Sequence, residues 1–184
     1  MKFLKIDWAD LENKTYLLSE KIEKDKVEID LIVAVARGGL TISQLLTDFL
    51  SLPITSFTVV SYRDLQQESI PKITFKIGNQ LENQKILLVD DISDTGKTFE
   101  RGISYLKELG AESIVTASLL IKPWTTFVPD YYVDKTDNWT VFPYEIRETT
   151  ESLFKKYEQE GKTNAEIKSI LKKLNLPFYF VPQP

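Results

Sequence analysis

The chain contains no cysteine and no histidine. Without cysteine, disulfides, thiolate nucleophiles and cysteine-based zinc sites are excluded. Without histidine, any proton moved near neutral pH must pass through Asp, Glu, Lys, Tyr or water. No apolar run approaches the ~20 residues that a membrane-crossing helix requires. The opening MKFLKIDWADLENK turns charged at once and holds no signal-peptide core. The expected location is cytoplasmic, with no membrane partner. Positive charge is not in excess either: the net charge is −4 and the isoelectric point about 5.1. With no basic stripe, a nucleic-acid partner is not expected.

What is present is an ordinary globular balance, 42% hydrophobic and 27% charged in 184 residues, enough for one domain with a proper core. There is no internal repeat and no low-complexity tract. From Asp7 to about Lys24, apolar residues recur at roughly helical spacing. Ile29 to Val35, IDLIVAV, is an apolar run of strand length broken only by Asp30; it ends in Ala36-Arg37-Gly38-Gly39, and a helical pattern follows from Leu40 to Leu50. Ile54 to Val60 reads as a strand and the polar stretch RDLQQES as a loop. Ile73, Phe75 and Ile77 then alternate with polar residues, as in a half-buried strand. Ile114 to Ile121 is another buried strand, ending at Lys122-Pro123. Strands that alternate with helices predict a parallel sheet of βαβ units, in which ligands bind beyond the carboxyl ends of the strands. Arg37-Gly38-Gly39, Asp90-Asp91 and Lys122 all fall at such ends. From Trp124 to Glu148 the chain reads as aromatic and irregular. From Thr149 it reads as charged and helical, with Thr163 or Asn164 capping a helix in Thr163-Asn164-Ala165-Glu166. The tail LPFYFVPQP is apolar and proline-rich.

The most informative passage is Lys85 to Thr98, KILLVDDISDTGKT. Ile86 to Val89 make a short buried strand, with Asp90 and Asp91 expected at its end. Asp94, Thr95, Gly96, Lys97 and Thr98 are then expected to open a helix that runs to a C-cap at Gly110. Two neighbouring carboxylates can accept the protons of two vicinal ribose hydroxyls. A carboxylate also suits Mg²⁺, which prefers oxygen ligands together with substrate phosphates. A helix start supplies backbone N–H groups and a favourable dipole for phosphate. Thr95 and Thr98 add hydroxyls, and Gly96 allows close approach. A Walker A loop is excluded, because Asp91 stands where its first glycine belongs, and the EF-hand spacing is absent. The blander alternative is a solvated acidic turn in which Asp94 or Thr95 only caps the helix.

This passage resembles the 5-phosphoribosyl-1-pyrophosphate (PRPP) motif of the type I phosphoribosyltransferases. LLIKP and DNWTVFPYE further resemble the bacterial xanthine–guanine (hypoxanthine) branch, and the likeness spans about Ile29 to Glu148. The resemblance implies an α/β fold, a parallel-rich sheet flanked by helices, with a small hood formed after Pro123 and a C-terminal helical extension. The expected division is 1–148 for the transferase domain with its hood and 149–184 for the extension, packed on the same domain or on a neighbouring subunit. Asp90, Asp91, Asp94, Thr95, Gly96, Lys97 and Thr98 would then bind PRPP. Asp94 would also face purine N7 as the catalytic base. Ala36, Arg37 and Gly38 would bind pyrophosphate, with a non-proline cis peptide next to Arg37. Ser61 and Tyr62 would belong to a closing catalytic loop. Lys122 would hold O6 of a purine, Trp139 would stack on the ring, and Thr140 and Glu145 would lie near the base edge. Mg²⁺ would be shared by Asp91 and Glu145, and the enzyme would be a homodimer or homotetramer. The implied reaction moves the phosphoribosyl group to N9 of guanine, xanthine or hypoxanthine. The alternatives are a transferase for another base, a PRPP-binding regulator with the same fold, and a binding module whose C-terminal helices recruit a partner.

Overall fold

A computed structural model of the chain describes residues 2–60 and 71–178. The chain divides into two compact units, Glu12–Asp137 and Met1–Leu11 with Asn138–Pro184.

The larger unit is a six-stranded sheet. Its strands are β2 (Leu31–Ala36), β3 (Ile54–Val60), β4 (Lys72–Phe75), β5 (Lys85–Ser93), β6 (Ser113–Ile121) and β7 (Tyr131–Lys135), following β1 (Phe3–Lys5) in the other unit. The order across the sheet is β4-β3-β2-β5-β6-β7. Every pairing is parallel except β3 with β4. β2 and β5 sit at the centre and are apolar on both faces, as parallel strands covered on both sides require. Ile32, Val33, Ala34, Leu87, Leu88 and Val89 are all fully buried. Val33, Val35, Ile86 and Leu88 meet Phe57, Phe99, Tyr105 and Leu106 in one core, which brings in α3 (Lys97–Glu108). α2 (Gly38–Leu50) packs along β2 and β5. Burial of this many full side chains, at ~1.5–3 kcal/mol each, outweighs any local preference. α1 (Trp8–Lys24) is tied to the β7 edge by a Lys14–Asp134 ion pair. Two further bonds hold that edge: Lys21 Nζ donates to the Tyr132 carbonyl (2.7 Å), and the Tyr131 hydroxyl donates to Asp25 (3.0 Å).

In the smaller unit, β1 pairs in parallel with β8 (Trp139–Val141). The helices α4 (Ile146–Gln159) and α5 (Asn164–Lys173) pack with them. Val141, Leu153, Phe154, Ile167, Leu171 and Leu176 form the core, with Phe3 and Ile146 against it. The extension after Thr149 therefore shares a core with β1 and β8. Thr163 is the cap of α5, in a reciprocal capping box with Glu166, which settles the choice between Thr163 and Asn164.

Several boundaries differ from expectation. β5 does not stop at the acid pair but continues to Ser93, because Asp90, Ile92 and Ser93 still pair with Ser118, Leu120 and Ile121 of β6. α3 begins only at Lys97, since Gly96 stands before it at φ +89°, a conformation that ends any helix extended backward through Asp94 and Thr95. α2 starts two residues earlier than its apolar pattern, at Gly38. Phe75 is 73% exposed, so β4 is a short edge strand rather than one with a buried apolar face. The stretch after Trp124 is not wholly irregular, because it contains β7 and β8. At the end of α3, Gly110 has φ +88° and its N–H donates to the Lys107 carbonyl, as a C-cap glycine does. No helix among the described residues is long and apolar enough to cross a membrane.

Candidate active site

Three strand-to-helix or strand-to-turn connections at the carboxyl ends of β2, β5 and β6 carry the expected site residues of the larger unit. The first is Ala36-Arg37-Gly38-Gly39. The Ala36–Arg37 peptide is cis, and Arg37 precedes α2 without capping it by its side chain. The two glycines are needed for close approach to β5. A Cβ on Gly38 would sit 2.6 Å from Asp91 Oδ1, and one on Gly39 would sit 3.0 Å from the Val89 carbonyl carbon. The Asp91 carboxylate therefore lies directly on the turn at Gly38. Two motifs distant in sequence are one surface.

The second connection leaves β5. Asp90 and Asp91 are only 8% and 6% exposed, and the Asp91 N–H donates to Asp90 Oδ1 (2.9 Å). Both acids lie inside the strand, and Asp94-Thr95-Gly96 forms a separate loop ahead of α3. The residue at the cap position of α3 is Gly96, which has no side chain. Lys97 and Thr98 are the first helical residues, so an anion at this end would meet main-chain N–H groups.

The third connection, Lys122 to Phe127, is fastened along the second. The Lys122 N–H donates to the Ser93 carbonyl (2.9 Å), and the Thr126 N–H to the Thr95 carbonyl (3.2 Å). The Thr126 hydroxyl donates to the same carbonyl (2.8 Å), and the Ser93 hydroxyl to the Phe127 carbonyl (2.7 Å). Phe127 stacks on Phe99 with centroids 5.4 Å apart. Its main-chain nitrogen would be 2.6 Å from a Cβ on Gly96. Within this strap, Trp124 Nε1 donates to Asp94 Oδ1 (2.9 Å), and Lys122 Nζ stands 5.6 Å from the centre of the Trp124 ring. Lys122 is buried. Burial lowers its pKa from the ordinary lysine value, while Asp94 and Asp137 pull it back up. Lys122, Asp94 and Trp124 thus form one polar cluster. Trp124, Ser93 and Thr126 were not singled out from sequence, and the available signal was a Trp placed directly after a buried strand's Lys-Pro.

Of the remaining expected residues, Trp139, Thr140 and Glu145 belong to the smaller unit. Trp139 is 42% exposed and its main-chain N–H donates to the Lys2 carbonyl (2.9 Å). The Thr140 hydroxyl is buried and has no hydrogen-bond partner among the described residues. Glu145 is the residue before α4 and does not cap it with its side chain. Ser61 and Tyr62 lie outside the described residues. Among the described residues no three carboxylates converge as an all-protein metal cage would need. Mg²⁺ held through one or two carboxylates and substrate phosphates needs no such cage, and Asp91, held on the Gly38 turn, fits that mode.

A sequence model of the phosphoribosyl transferase domain matches residues 9–149. The chain belongs to the phosphoribosyl transferase family. Among solved structures, this phosphoribosyltransferase-family protein is 39% identical to a purine phosphoribosyltransferase from Pyrococcus horikoshii, with TM-score 0.71, covering 78% of this chain and 95% of that one. A xanthine-guanine-hypoxanthine phosphoribosyltransferase from Helicobacter pylori shares the fold at 23% identity, with TM-score 0.70 and coverage of 80% and 96%. Among curated relatives, the bifunctional protein PyrR of Caldicellulosiruptor saccharolyticus is 30% identical over 55% of this chain and 62% of its own length. The transcriptional regulator GfcR of Methanothrix thermoacetophila is 22% identical over 66% of this chain and 65% of its own length. The matches therefore span just under two thirds of those curated relatives' length.

Proposed function

We propose that this protein transfers the 5-phosphoribosyl group of PRPP to N9 of a 6-oxopurine, releasing pyrophosphate and a nucleoside 5′-monophosphate. The observation that carries the reading is the cluster of Lys122 and Asp94 beside the start of α3 and the Asp90–Asp91 pair. Asp90 and Asp91 receive the ribose hydroxyls. The Thr95-to-Thr98 helix start takes the 5-phosphate, and Arg37 with Gly38 faces the pyrophosphate. Lys122 donates to O6, which selects an oxo over an amino substituent because a lysine ammonium has donors only. By the family resemblance, Trp139 stacks on the ring, with Thr140 and Glu145 at its edge. By the same resemblance, Mg²⁺ would be held by Asp91 and Glu145 together with the substrate and would supply charge screening for the leaving pyrophosphate.

In the forward direction the C1′–O bond to pyrophosphate breaks with its electron pair leaving on oxygen. The purine N9 pair forms the new bond to C1′, and the proton lost from the base passes to the Asp94 carboxylate. Positive charge builds at C1′ as in other glycosyl transfers, so most of the acceleration comes from positioning and fixed charge. Similarity to the Pyrococcus purine enzyme supports the base class. Similarity to a protein named as a transcriptional regulator favours, as the second reading, a PRPP-binding regulator of the same fold.

The test is nucleotide formation from PRPP and Mg²⁺ with hypoxanthine, guanine, xanthine, adenine and uracil offered separately. Conversion of one or more 6-oxopurines, with adenine and uracil ignored, is the expected result. PRPP binding without product from any base would overturn the proposal in favour of the regulator.

A further inference from the structure

Trp124 has a hydrogen-bonding role that packing does not explain. It is 55% exposed, so it is not held by burial. The strap that carries it is already anchored on both sides, by Lys122 to Ser93 and by Thr126 and Phe127 to Thr95, Ser93 and Phe99. What Trp124 adds is one directed bond, from Nε1 to Asp94 Oδ1 at 2.9 Å. An indole N–H donates only, so the carboxylate oxygen must be the acceptor. Its ring face meanwhile stands before the Lys122 ammonium. One side chain therefore touches both groups assigned above to the purine.

We infer that Trp124 is a positioning residue: its indole N–H fixes Asp94 Oδ1 and so presents Oδ2 to the purine. The inference rests on the proposed function for what Asp94 faces, and on geometry alone for what Trp124 does to Asp94. A carboxylate on a half-buried loop can still rotate about its last torsion. A donor on one oxygen restricts that rotation without consuming the lone pairs of the other. The gain is orientation at the moment of proton transfer, where small misplacement is costly.

The deciding variant is Trp124→Phe, which keeps a ring over Lys122 and removes only the N–H. Turnover with the purine should fall about tenfold, the worth of one hydrogen bond to a charged group. The KM for PRPP and the melting temperature should stay at parental values. In an Asp94→Ala background, Trp124→Phe should add nothing, because the partner is gone. A second readout needs no activity. The protein has three tryptophans, so the indole ¹H–¹⁵N signal missing in Trp124→Phe belongs to Trp124, and in Asp94→Ala that signal should move upfield. Parental turnover in Trp124→Phe would overturn the inference. So would a loss shared equally by PRPP affinity and melting temperature, or an indole signal unmoved by Asp94→Ala. A parent that makes no purine nucleotide would overturn the proposed function and the catalytic role together, while the indole signal would still report whether the contact exists.

Discussion

The connections after β2 and β5 differ in kind from the connection after β6. The first two depend on glycines that let the main chain come close to its neighbours. Gly38 lies under the Asp91 carboxylate, Gly39 lies against the Val89 carbonyl, and Gly96 takes a positive φ under Phe127. The third adds side chains to its main-chain bonds: Trp124 and the hydroxyls of Thr125 and Thr126 reach across to Asp94, Ser93 and Thr95. A backbone-built surface suits phosphate, which every member of a substrate class shares, because N–H groups cannot be exchanged by mutation. A side-chain-built surface suits the base, where one substitution can change what is accepted. The same fold can then keep one half fixed and vary the other.

The largest effect should come from removing the charge that joins the halves. Asp94→Asn is expected to lower turnover by about 10²–10⁴-fold, the usual worth of a general base, and to lower PRPP affinity far less in a binding titration. Equal losses in both would merge the two halves into one and defeat the comparison.

Next in size is Gly39→Ala. Its Cβ would press on the Val89 main chain at the sheet centre, where neither strand can retreat, and overpacking of this kind costs ~1–3 kcal/mol. Urea unfolding should show that loss, and an unchanged midpoint would mean that the β2–β5 contact is softer than described.

The smallest effect concerns the side-chain half and pH. Burial lowers the Lys122 pKa from its ordinary value of 10.5, so below 10.5 there is an interval in which the unfolded chain binds this proton more tightly than the folded protein does. Stability therefore rises with pH across that interval. Lys122→Met should remove this rise from the pH dependence of unfolding while weakening 6-oxopurine binding about tenfold or more. A pH profile identical to the parent's would show that Lys122 is effectively solvated.

The two halves were also unequally legible in the sequence. The backbone-built half announced itself, because close approach demands glycine and a parallel strand demands an apolar run, and both fall in fixed order in VARGGL and KILLVDDISDTGKT. What stayed hidden there was the length of β5. Strand pairing with β6 carries it past the acid pair, and a polar Asp-Asp step reads locally as an end. The start of α3 was misplaced for a related reason: Asp94 and Thr95 are good helix openers by type, and only the φ of Gly96 excludes them. In the side-chain half, Lys122 was visible as a lysine ending a buried strand. Trp124 was not, because a single aromatic in a turn has no period to reveal its partner. β7 and β8 were missed because they are short and mix aromatic with polar residues, so register with β6 and β1 decides them rather than their own pattern.

The division between the halves is tested most directly by titrating PRPP with Mg²⁺ calorimetrically into the parent, Gly38→Ala and Lys122→Met. The account predicts that Lys122→Met binds PRPP as the parent does, while Gly38→Ala, whose new Cβ displaces the Asp91 carboxylate, loses most of that affinity. Parental PRPP binding in Gly38→Ala, or an equal loss in Lys122→Met, would contradict it.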